Sequence, residues 1–164
     1  MTPEFTRMLP VERIAPEGHA VTVTANKPEC AALAARMGIP AIRSVTCDFR
    51  LRREGNAVVV AAGRLRARVT QTCIVSLDDF NTTVEENFRV RFVPSGEESD
   101  NENPEADDEI SYEGITIDLG EATAEQLGLA LDPYPRKPGA ALPDAGPEAK
   151  PHPFAALAAL RKPE

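Results

Sequence analysis

GRLRARVTQTCIVSL, residues 63–77, is the stretch from which the fold can be read. Successive side chains of a strand point to opposite faces, so Arg64, Arg66 and Arg68 share one side and Leu65, Ala67 and Val69 the other. The stretch therefore predicts a half-buried strand with a row of guanidinium groups on its open face. CIVSL (73–77) continues that strand or begins another after a bend. Upstream, residues 42–53 alternate in the same way, with Val45, Cys47, Phe49 and Leu51 on one face and Thr46, Asp48, Arg50 and Arg52 on the other. Glu54-Gly55-Asn56 is a turn of hairpin length, and the strand over 57–70 follows it antiparallel. Downstream, Asp78-Asp79 interrupts the pattern. Residues 82–93 then alternate again, with Val84, Phe88, Val90 and Phe92 inward and Glu85, Arg89 and Arg91 outward. A meander of three or four antiparallel strands follows.

The flanks are read from their punctuation. Residues 1–18 are extended, with Phe5, Met8, Val11 and Ile14 as anchors but no clean period. AVTVTA (20–25) is a short strand. Asn26 caps a helix that has Pro28 in its first turn, Glu29 three residues on and Gly38 at its end. Residues 94–109 carry eight carboxylates and almost nothing apolar, which predicts a solvated, mobile loop. ISYEGITID (110–118) is a strand pair or a strand kinked at Gly114. Asp118, with Glu121 three residues later, caps a helix over 119–131 that Asp132-Pro133 ends. Six prolines between 133 and 151 mark an extended tether, and residues 152–164 form a helical tail with Phe154, Leu157 and Leu160 on one stripe. The expected fold is α+β. It has a curved antiparallel, partly barrel-like sheet of five to seven strands, two flanking helices and a C-terminal helix on a Pro-rich tether. Residues 1–132 form the single domain.

Composition limits what this domain can be. Of 164 residues, 42% are hydrophobic but only 5% aromatic, with no Trp, so the core rests on Val, Leu, Ile and Ala. No apolar run reaches the roughly 18 residues of a membrane span. The first residues lack a continuous apolar signal segment, so a cytoplasmic, membrane-free protein is expected. Cys30, Cys47 and Cys73, odd in number and widely spaced, read as free thiols that pack as small hydrophobes. The net charge of −8 hides a division of sign. No Lys or Arg lies between Arg91 and Arg136, where 13 of the 26 carboxylates fall, whereas ten of the 18 basic residues, all Arg, lie from Arg36 to Arg91. Such a chain can present a basic face while an acidic loop suppresses indiscriminate binding. His19 and His152 are too few and too remote for a metal or nucleophile site. With no Gly-rich phosphate loop either, the expectation is no catalysis, no cofactor and no metal.

Three segments in order, GRLRARVTQTCIVSL (63–77), SYEGITIDLGEATAEQLGLALDPYP (111–135) and KPHPFAALAALRK (150–162), resemble the YceD family, the large ribosomal RNA subunit accumulation proteins. Many members carry Cys-x-x-Cys where this chain has Cys73-Ile74-Val75-Ser76. A hydroxyl is a poor zinc ligand, so zinc binding and dithiol chemistry are not expected here. The resemblance implies a non-catalytic role in accumulation or processing of large-subunit ribosomal RNA or its precursor, in ribosome assembly. The residues agree with it. Arg50, Arg52, Arg64, Arg66, Arg68, Arg89 and Arg91 share the outward parity of adjacent strands, where guanidinium groups can clasp phosphates and lie flat on bases. Some of these will pair with Asp48, Glu54, Glu85 or Glu86. Few exposed aromatics are available for reading single strands. The alternative is a protein-binding adaptor that recruits a ribosomal protein or processing enzyme through Phe154, Leu157 and Leu160. Whether that tail docks on a partner or on its own domain is open at this level.

Overall fold

The computed structural model describes residues 3–100, 102–143 and 153–160. Three long strands, β3 (Ala41–Glu54), β4 (Val58–Thr72) and β5 (Asp79–Pro94), form the antiparallel centre of a five-stranded sheet. A short strand, β2 (His19–Thr24), borders β3, and β6 (Asp108–Tyr112) borders β5. A separate two-stranded ribbon joins β1 (Met8–Pro10) to β7 (Thr116–Asp118). Two helices, α1 (Lys27–Met37) and α2 (Leu119–Ala130), complete the α+β architecture.

The hydrophobic core lies on one face of the large sheet. Val45, Cys47, Phe49 and Leu51 of β3, Leu65, Ala67 and Val69 of β4, and Val90 and Phe92 of β5 are buried there. They meet Leu33 of α1, Leu119 and Leu127 of α2, and Phe5, Val11 and Ile14 of the N-terminal strap. The expected period-two pattern is thus the boundary between core and open surface. Both helix starts follow their local chemistry. Asn26 Oδ1 accepts the Glu29 N–H at 2.9 Å while the Glu29 carboxylate accepts the Asn26 N–H at 2.7 Å, and Gly38 ends α1 in the left-handed region. Asp118 Oδ1 accepts the N–H groups of Gly120 and Glu121, but Glu121 turns away to pair with Arg36 at 2.7 Å instead of closing a reciprocal box.

Several expectations are corrected. The sheet does not close into a barrel: β2 and β6 are its two edges and do not pair with each other. Nor is it wholly antiparallel. The acidic connection after β5 carries the chain back far enough for β6 to run parallel to β5, an arrangement no tight turn allows. ISYEGITID divides at Gly114 (φ +76°) into strands belonging to different sheets. CIVSL is not a strand, because the Cys73 N–H bonds Asp78 O and the Leu77 N–H bonds Cys73 O, closing a turn with Leu77 at φ +62°. The N-terminal stretch is tied down rather than merely extended, although Met8 is exposed. The Pro-rich tether begins packed: Asp132 O accepts from Gln71 and Pro135 O from the Ile74 N–H. The acidic loop is also tied, with Ser99 donating through N–H and hydroxyl to Glu109, both at 2.8 Å. Within the tail, Ala155–Leu160 forms a 3-10 helix; residues 144–152 and 161–164 lie outside the described residues.

The strap and α2 meet at closest approach through Gly120. A Cβ there would stand 2.5 Å from the Phe5 carbonyl oxygen and 2.8 Å from the Arg7 nitrogen, whereas one at Gly128 would meet nothing within 4 Å. The two glycines of one helix therefore predict opposite outcomes. Gly120→Ala overpacks against backbone at about 1–3 kcal/mol, lowering the melting temperature by roughly 3–10 °C. Gly128→Ala removes a helix-interior glycine and raises it by about 1–3 °C. Thermal melts of the two variants check the contrast.

Candidate functional site

The open face of the sheet is organised in rows by cross-strand register. Arg50, Ala62 and Arg89 lie side by side across β3, β4 and β5; the next row holds Asp48, Arg64 and Asn87. Beyond it come Thr46, Arg66 and Glu85, then Ser44, Arg68 and Thr83. On the other side of the Ala62 row stand Arg52, Val60 and Arg91. All seven arginines expected on this face are brought together there. Six are exposed and Arg91 is half-buried.

They divide by electrostatic partner. Glu54 pairs with both Arg52 (3.3 Å) and Arg91 (3.6 Å), Glu85 with Arg66 (3.7 Å), and Asp107 of the acidic loop with Arg89 (3.5 Å). Arg50, Arg64 and Arg68 have no carboxylate partner among the described residues. Of the carboxylates expected to pair, Glu54 and Glu85 do so. Asp48 instead accepts the Thr22 hydroxyl at 2.7 Å and leaves Arg64, directly opposite, unpaired. Exposed pairs of this kind are worth about 0–1 kcal/mol, so even the paired guanidiniums can exchange a carboxylate for a phosphate. Glu109 is held below the usual carboxylate range by the Ser99 N–H and hydroxyl, with help from the Arg91 charge. Asp107 and Glu109 line one edge of the basic face.

One residue of the face escapes simple alternation. Arg43 has the parity of Val45 and Cys47 and by pattern belongs inside. The β3–β4 register shifts between Ile42 and Ser44, and this bulge turns Arg43 out beside Arg68 and Thr83 in a surface depression. An Arg at an inward position near a strand start was the available signal. In the tail, Phe154 (66% exposed), Leu157 (57%) and Leu160 (75%) all present apolar surface to solvent.

No three His, Cys, Asp or Glu side chains among the described residues converge to hold a metal ion. Among the same residues no helix is long and apolar enough to cross a membrane. One family profile, described as large ribosomal RNA subunit accumulation protein YceD, matches residues 61–161, more than half of the chain. No curated protein and no solved structure matches it.

The matched segment includes Cys73. Its side chain has no exposed surface but stands apart from the main core, covered by the turn that follows it. The Ser76 hydroxyl and N–H (3.4 Å to Sγ) stabilise the thiolate, with smaller help from the Lys137 and Val75 N–H groups, pulling the thiol down to about 6. Cys47 goes the other way: burial pushes it up to about 12. A cysteine in the unfolded chain titrates near about 8.5. Between about pH 6 and that value the unfolded chain therefore binds the extra proton, and this contribution to stability is lost as pH falls through the folded value. The melting temperature of the wild type relative to Cys73→Ala should accordingly rise from pH 6 to pH 8.5. Equal differences at the two pH values would show that the thiolate is not the favoured native form.

Proposed function

The chain belongs to the YceD family of large ribosomal RNA subunit accumulation proteins, and from that premise we propose that it is a non-catalytic, cytoplasmic ribosome-assembly factor. In this reading it acts in accumulation or processing of large-subunit ribosomal RNA, meeting that RNA through the arginine face of its sheet. The observation that carries the reading is the set of guanidiniums of Arg50, Arg64 and Arg68. They are held on one rigid surface by core-facing neighbours and left without carboxylate partners among the described residues, in a protein of net charge −8. An acidic protein gains nothing in stability from concentrating unpaired like charges on two adjacent strands; a polyanion that covers them offsets the repulsion. The carboxylates at the β6 edge restrict how the polyanion lies, which favours folded RNA recognised by shape over any passing strand.

A second reading rests on the exposed Phe154, Leu157 and Leu160. An apolar stripe at the end of a tether suits the groove of a ribosomal protein or processing enzyme, with the sheet as one hand of an adaptor and the tail as the other.

Two experiments test these readings. Replacing Arg50, Arg64 and Arg68 by Gln leaves the melting temperature within the span of exposed substitutions, about 0.5 kcal/mol. The same variant flattens the plot of log affinity against log salt for a large-subunit rRNA fragment by about 2–3, at roughly 0.7–0.9 per lost phosphate contact. It also lowers large-subunit rRNA levels when it is the sole copy in cells. An unchanged salt slope overturns the phosphate reading. Deleting residues 150–164 leaves melting and RNA affinity unchanged but reduces rRNA accumulation if the tail recruits a partner; full accumulation by the truncated chain overturns that role.

A further inference from the structure

At the centre of the arginine face the side chains leave an open depression of about 660 Å³, within the size of small-ligand sites at about 300–1,000 Å³. Its floor is Ala62, the smallest residue on the outward side of β4 between Val60 and Arg64. Arg50 and Arg89 flank that floor on the neighbouring strands, and Asp48, Arg64 and Asn87 close one end. We propose that this depression receives one unstacked base of RNA, guanine in preference to the others. The base lies between the guanidinium groups of Arg50 and Arg89, with its Watson–Crick edge on Asp48 and its phosphate on Arg64. This inference rests on the RNA reading above and narrows it to a single nucleotide.

Spacing and chemistry both support it. Two interstrand steps separate the backbones of Arg50 and Arg89 by about 9.5 Å. A flat ring sandwiched between two planar groups needs two contacts of about 3.5–4 Å, so one base fits and two do not. Guanidinium planes stack on bases as aromatic rings do, which supplies the platform that this face, poor in exposed aromatics, otherwise lacks. Asp107 grips Arg89 from the side away from Ala62 and limits its wandering.

Asp48 is what separates a base site from a phosphate site. A bare anion would be repelled by it. The carboxylate stands opposite Arg64 without pairing to it and spends one acceptor position on Thr22, leaving the rest of its roughly four free for donors. Guanine presents two adjacent donors, N1–H and the 2-amino group, that match the two oxygens of a carboxylate. Adenine and cytosine place a ring acceptor beside their single amino group, and uracil flanks its one N–H with carbonyls, so each sets a lone pair against Asp48. Selectivity thus arises from repulsion of the wrong base as much as from attraction of the right one.

The test uses the full chain and five RNA hairpins with one stem sequence, carrying a single bulged G, A, C or U or no bulge, with affinities from fluorescence anisotropy at fixed salt. The bulged-G hairpin should bind about tenfold more tightly than the other four. Asp48→Asn should erase the ranking among bulges without weakening the fully paired hairpin, and Ala62→Leu, which fills the floor, should erase the advantage of any bulge. Melting curves of both variants should overlay the wild type, since both positions are exposed. Equal binding of all five hairpins overturns the base site while leaving the phosphate face standing, and so does a guanine preference that survives Asp48→Asn. Failure of every hairpin to bind overturns the base site together with the RNA reading on which it rests.

Discussion

Everything in this protein depends on the register of β4 between its two neighbours. A strand has a period of two, so a slip of one residue exchanges its faces: Leu65, Ala67 and Val69 would move to solvent and three arginines into the core. Two features prevent that slip. The turn between β3 and β4 contains Gly55 in the left-handed conformation, which fixes where the hairpin closes. At mid-strand Gly63 lies opposite both Phe49 and Phe88, and the Phe88 ring fills the space that a side chain at 63 would occupy, meeting Phe49 edge-on at 5.8 Å. Only a residue without a Cβ can sit under that ring, so the glycine acts as an index mark. Packing on one face thereby determines chemistry on the other, and the arginines are aligned because the hydrophobes behind them cannot move.

The helices and strap close the covered face through a second, polar constraint. Arg7 forks onto Glu29 with contacts of 2.7 and 2.8 Å, donates to the carbonyls of Thr6 and Thr24, and lies over the Phe5 ring. Glu29 is also the reciprocal cap of α1. Hydrogen bonding to Arg7 draws its carboxyl below the ordinary range, and Arg7 is raised in turn. On the other side of the same peptide, the Arg7 N–H donates to Asp118, the cap of α2. One residue of an otherwise irregular strap therefore joins the starts of both helices. Its two-pronged geometry is a task for which lysine is no substitute.

Local signals carried the parts of this structure that were legible from sequence. Alternation over 42–53 and 82–93, the Asn26–Glu29 box, Gly38 and the Asp118 cap each depend on residues within a few positions of one another. What was not legible depends on distant partners or small insertions. The pairing of Met8 with Asp118, the parallel placement of β6 and the Asp107–Arg89 pair have no marker in the neighbouring sequence. The bulge that turns Arg43 outward is one residue of excess, invisible until both strands are laid side by side. The apolar run Cys73–Val75 has the hydrophobicity of a strand, but the bonds that close it into a turn, from the Cys73 N–H to Asp78 O and from the Leu77 N–H to Cys73 O, carry no mark in its apolar pattern. For the site, alternation placed the arginines on a common face but could not tell which of them lack a carboxylate.

The ribbon between β1 and β7 has a consequence for the order in which the chain matures. Phe5, Val11 and Ile14 precede by more than a hundred residues the strand that pairs with their strap and the helix turn that Phe5 covers. Until these are made the strap can reach only its partners in α1 and the sheet, while β3, β4 and β5 can already zip together as neighbours in sequence. The strap then closes last, over a sheet whose register is already set. An interruption of synthesis before residue 118 would leave a meander with its arginine face formed and its apolar face open where α2 would lie.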